Sequence, residues 1–113
     1  MDLPKNAQEK IQKLQLYEQK MTALLSQRQE IESQLLEVES AIEGINNSKD
    51  KESFQIVGNV MIKFANSDIL KNLEEDKNKF ALRVKALEKQ ENEIKSVSEA
   101  LQKEVMKTIE GTK

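Results

Sequence analysis

The 113-residue chain has no cysteine, no histidine and no tryptophan, a single proline (Pro4) and three glycines. Lack of cysteine excludes a disulfide framework and a thiol nucleophile. Lack of histidine removes the commonest general base, and the two absences together remove the usual zinc ligands. Three scattered glycines, Gly44, Gly58 and Gly111, cannot build a phosphate-cradling loop. Acidic clusters such as Glu74-Glu75-Asp76 stand in helical sequence and read as solvated surface, not as a metal site. The expectation is a protein that is no enzyme and carries no cofactor or metal. No apolar run approaches the ~20 residues that span a bilayer. The opening Met-Asp-Leu-Pro-Lys-Asn lacks the hydrophobic core of a signal peptide. Net charge is −2, which leaves no global pull toward nucleic acid or an anionic membrane. These absences point to a soluble cytoplasmic protein.

Charged residues make up 34% of the chain, hydrophobic residues 37% and aromatic residues 4%, too little apolar material for a packed globule. Such a chain folds only by spending its apolar residues on narrow seams. In the first arm they fall at Leu14, Tyr17, Met21, Leu24, Ile31, Leu35, Val38, Ile42 and Ile45, with Arg28 occupying one place in the same series. Steps of three and four alternate, the signature of a helix that packs along one stripe. Arg28 either sets the register or snorkels outward. No glycine or proline interrupts residues 5–43, and about 43 helical residues would extend roughly 65 Å. Pro4 suits the first helical position, with Asp2 or Leu3 before it. Gly44 and the polar run 46–50 would end the helix.

A second stripe runs through Leu70, Leu73, Lys77, Phe80, Val84, Leu87, Glu91, Ile94, Ser98, Leu101 and Val105, beginning after a cap at Ser67 or Asp68. Its three polar members, Lys77, Glu91 and Ser98, make it the weaker seam, and Gly111 suggests fraying near the end. Lysines in this arm alternate with acids, which favours helix side-chain pairs over a nucleic-acid stripe and counts against an RNA-binding helical hairpin. The two stripes have matching lengths. Folding the chain back lays them antiparallel, with Ile45 near Leu73 and Leu14 near Val105. The expected fold is all-α dominated: a long antiparallel coiled-coil helical hairpin with one β-hairpin at the closed end. Its divisions are helix 1 over 1–47, linker and β-hairpin over 48–68, and helix 2 over 69–113, in one domain.

The middle of the chain breaks the helical rhythm. Two β-branched and aromatic runs, residues 54–57 and 60–65, flank Gly58-Asn59, a pair that reads as a tight primed turn. That turn puts Val57 opposite Val60, Ile56 opposite Met61, Gln55 opposite Ile62 and Phe54 opposite Lys63. Because faces alternate along a strand, one face holds Gln55, Val57, Val60, Ile62 and Phe64, and the other Phe54, Ile56, Met61, Lys63 and Ala65. Both faces are mostly apolar. Such a hairpin either joins a sheet formed with other subunits or folds down onto the stalk. The subunit-assembly residues are accordingly Phe54, Ile56, Val57, Gly58, Val60, Met61, Ile62 and Phe64. At the open end Leu3, Ala7 and Ile11 lie beside Met106 and Ile109 where the heptads stop. These are either fraying helix ends or apolar contacts for a partner.

The run Phe54-Gln-Ile-Val-Gly-Asn-Val-Met-Ile-Lys-Phe64 resembles the prefoldin β-type subunit family. It shares the pattern of an aromatic strand start, Val-Gly, two residues and an apolar strand containing lysine. The Asp-Leu-Pro opening and the Leu70-x-x-Leu73 entry to the second helix fit as well, while Phe54 stands where tyrosine is common. The resemblance spans the whole chain, with its specific part in the hairpin. It implies an archaeal-like α2β4 hexamer of two α-type and four β-type subunits, joined through their hairpins. It also implies coiled-coil tips that hold non-native polypeptides without ATP and deliver them to a group II chaperonin. Under it the client-binding set is Leu3, Ala7, Ile11, Leu14, Leu101, Val105, Met106 and Ile109. The competing expectation is a structural coiled-coil adaptor that docks one defined partner through the β-hairpin.

Overall fold

The computed structural model describes residues 3–111, so Asp2 and the last two residues of the expected second helix lie outside it. The elements are α1 (Lys5–Asn46), β1 (Glu52–Val57), β2 (Val60–Ala65) and α2 (Asn66–Gly111). These are two long helices and one antiparallel two-stranded hairpin, the fold class expected from the stripes.

The helix ends differ from expectation by one to a few residues, each for a local reason. The Pro4 carbonyl accepts the first helical bond, from the Gln8 N–H at 3.0 Å, so Pro4 precedes the helix and Lys5 is its first residue. Gly44 lies within the last turn of α1 and does not end it; a glycine there costs about 1 kcal/mol relative to alanine and is tolerated. The chain leaves the helix after Asn46: the Asn47 N–H donates to the Glu43 carbonyl and Ser48 to Ile45, while the Ser48 hydroxyl accepts from the Asp50 N–H.

At the other end of the hairpin, α2 begins at Asn66, ahead of the Ser67 or Asp68 cap expected. No linker separates it from β2. Asn66 is the knot that joins three segments. Its backbone N–H donates to the Lys51 carbonyl at 2.9 Å and its Nδ2 donates to the Asp50 carbonyl at 2.7 Å, while its Oδ1 accepts from the Ser53 hydroxyl. Asp68 then sits in the first turn, where a carboxylate favours the positive end of the helix dipole.

Within the chain two compact units form, one from residues 1–28 and 85–113 and the other from 29–84. In the first, Lys10 pairs with Glu104 at 3.5 Å and Arg28 with Glu91 at 2.7 Å, so the two helix segments run antiparallel. Arg28 and Glu91 lie fourteen residues in from Leu14 and Val105 respectively, which is the register obtained by matching the stripes. Every stripe residue described is half-buried or buried. Ala7, Leu87 and Val105 are the buried apolar side chains of the first unit, and Ile42 and Ile69 those of the second. Ile69 lies beside the expected stripe and three residues after the Asn66 knot, so α2 presents an extra apolar side chain where it leaves the sheet.

Replacing Asn66 with alanine removes two side-chain hydrogen bonds, a loss of about 1–3 kcal/mol. Amide exchange across β1 and β2 is expected to speed up by about tenfold or more, with helical circular dichroism unchanged; unaltered exchange would show that the knot does not hold the hairpin.

Candidate functional site

The hairpin is closed by Gly58, whose φ of +63° is paired with no positive φ at Asn59. Positive φ at the first central residue alone defines the turn that glycine in that place permits, and it twists in the sense of the strands it joins. A Cβ at Gly58 would meet nothing within 4 Å, so backbone conformation alone requires glycine there. The pairing runs Val57 with Val60, Ile56 with Met61, Gln55 with Ile62, Phe54 with Lys63, Ser53 with Phe64 and Glu52 with Ala65. This is the register read from the turn, extended by two pairs.

Both faces of this hairpin are open. On one, Phe54, Ile56 and Met61 are 62%, 71% and 63% exposed. On the other, Val57, Val60 and Ile62 are exposed as well, and only Phe64 is half-buried. The hairpin therefore does not fold down over the helices, the second of the two alternatives above. Lys63 and Glu52, 3.7 Å apart and both over half exposed, share the Phe54 face. An ion pair so solvated contributes little to stability, roughly 0–1 kcal/mol. Six large apolar side chains in twelve strand residues, none covered, is more than a single chain gains by exposing.

The second candidate surface belongs to the unit that holds both helix ends. Of the client-binding residues expected from sequence, Ala7 and Val105 are buried and lack free surface. Leu3, Ile11, Leu14, Leu101 and Ile109 are half-buried, and Met106 is 56% exposed. Met106 lines a shallow groove with Glu99, Gln102, Lys103 and Lys107, so its thioether is bordered by both apolar stems and charge. Three large exposed apolar residues of this unit escaped the sequence reading, Leu16, Leu25 and Val97. Each lies off the stripe, two residues past Leu14, one past Leu24 and one before Ser98. Apolar residues out of phase with a helix stripe are the signal that would have found them. No described helix is long and apolar enough to cross a membrane.

The sequence pattern of the prefoldin subunit family matches residues 8–112. A prefoldin subunit beta of Archaeoglobus fulgidus is 31% identical over 95 residues, covering 83% of this chain and 82% of that protein. One of Methanospirillum hungatei is 30% identical over 107 residues, covering 94% and 89%. Among solved structures, the prefoldin beta subunit from Thermococcus strain KS-1 superposes with a TM-score of 0.88 at 22% identity, covering 94% of each chain, which establishes the shared fold.

Ile56 and Met61 can be changed without touching anything packed. Ile56→Thr with Met61→Thr is expected to keep the unfolding free energy within about 0.5 kcal/mol while lowering binding of an apolar fluorescent dye. A large fall in thermal stability would show that the face is covered within the chain.

Proposed function

The chain belongs to the prefoldin family, and from that premise and the open hairpin we propose that it is an assembling subunit of an ATP-independent holdase chaperone. Two exposed apolar faces on one two-stranded hairpin carry the assembly half of this reading, because such a hairpin is marginal alone and satisfied by further strands. Its partners are an α-type prefoldin subunit and other β-type copies, in an α2β4 hexamer in the cytoplasm. Assembly multiplies the helix ends, and several weak apolar contacts held together bind far more tightly than one.

At the helix ends the division between buried and open side chains sorts the roles. Ala7 and Val105 hold the two helices together, while Leu3, Ile11, Met106 and Ile109 face the client. Methionine suits this work, since an unbranched, polarisable side chain adapts to many apolar shapes. Clients are non-native polypeptides, whose exposed apolar segments are what a folded protein hides. They are then passed to a group II chaperonin. The whole chain acts as one domain in this scheme.

Substituting serine for Leu3, Met106 and Ile109 in the assembled hexamer tests the client surface. Each burial lost is worth about 1.5–3 kcal/mol when complete, so suppression of aggregation of a denatured client is expected to need at least about tenfold more protein. Native mass should be unchanged. Full protection by the variant hexamer would overturn the assignment of clients to the helix ends.

A further inference from the structure

The seam of the first unit contains a half-buried contact between full charges, and its two members are one polar intruder from each stripe. Arg28 Nε donates to Glu91 Oε2 at 2.7 Å, with the side chains 24% and 13% exposed. We propose that this pair is the specificity determinant that fixes the register of α1 against α2 and disfavours pairing of like helices.

The neighbouring stripe positions do not discriminate. Leu14, Tyr17, Met21 and Leu24 on α1, and Leu87, Ile94, Leu101 and Val105 on α2, are apolar, and the remaining member, Ser98, is small and uncharged. Apolar seams accept a slip of one heptad with little change in burial, because the slipped stripe meets another like itself. The charges do not. A slip in one direction sets Arg28 against Val84 and Glu91 against Met21; a slip in the other sets Arg28 against Ser98 and Glu91 against Leu35. Each slip leaves a half-buried carboxylate among apolar side chains with its partner a heptad away, which is strongly disfavoured.

The same pair opposes pairing of like helices from two copies. The α1 stripe from Leu14 to Ile45 carries no other charged residue and would serve as the seam of a parallel two-chain coiled coil. In that arrangement identical residues meet, so Arg28 faces Arg28, and two α2 helices would bring Glu91 to Glu91. Only antiparallel pairing of α1 with α2 joins opposite charges. The short, charge-assisted bond then recovers part of the desolvation cost that the two groups incur on leaving water.

Lys10 and Glu104 face each other at 3.5 Å and can be joined by a zero-length carbodiimide cross-link. Isotopically heavy and light copies of the full chain are mixed, unfolded, refolded and cross-linked, and the linked peptides are read by mass spectrometry. For the unchanged chain, Lys10–Glu104 links carry a single isotope composition. Arg28→Leu with Glu91→Leu is expected to raise the melting temperature and yet lose most of the Lys10–Glu104 link, because a heptad slip sets Lys10 against Val97 or Gly111, which carry no side-chain carboxylate. Arg28→Glu with Glu91→Arg restores the original pattern. An unchanged pattern in the double-leucine chain, or a scrambled one in the charge-reversed chain, would overturn the proposal.

Discussion

A seam between two helices has no interior. Each stripe side chain meets the facing helix on one side and water on the other, and the stripe residues here are accordingly half-buried with few exceptions. Ala7, Ile42, Ile69, Leu87 and Val105 are the described apolar residues that leave water almost completely. Everything distinctive about the chain follows from this shortage of covered volume. Stability comes from many partial burials repeated along two helices of 42 and 46 residues. Nothing remains with which to cover a sheet, so the apolar faces of the hairpin stay open.

That shortage also gives the few polar contacts unusual leverage. In a large core, register is enforced by many interlocking shapes. In a repeating stripe, successive heptads are nearly equivalent, and one misplaced charge decides among them. Arg28 with Glu91 has this effect in the first unit. Asn66 has a different one in the second: a single side chain satisfies a carbonyl of the loop and a hydroxyl of β1 while its backbone bonds to Lys51. It binds the start of α2 to the sheet, so the hairpin's orientation follows that of the helix. The hairpin's exposure and the firmness of its attachment together suit an element made to be gripped by other subunits.

Much of this was legible because periodicity is local. Alternating steps of three and four give two helices, Gly58-Asn59 gives the turn, and the turn gives the strand register by counting. The equal lengths of the stripes give the antiparallel register. What escaped was either long-range or out of phase. Asn66 reads from sequence only as part of the linker and hairpin stretch, because its partners, Asp50 and Ser53, lie sixteen and thirteen residues earlier. Arg28 reads from sequence as either register-setting or snorkelling and Glu91 as a weakness of its seam, because 63 residues separate the two that meet. Leu16, Leu25 and Val97 escape the periodicity because a stripe reports what is buried and is silent about apolar residues that face water. Ala7 and Val105 belong to the set that the resemblance implies, and only the structure shows that they are buried.

If the open hairpin makes this chain one subunit of a mixed prefoldin assembly, native mass spectrometry of the chain mixed with an archaeal α-type prefoldin subunit is expected to show one dominant complex with four copies of this chain and two of its partner. A well-folded chain that stays monomeric, alone and with that partner, would contradict it.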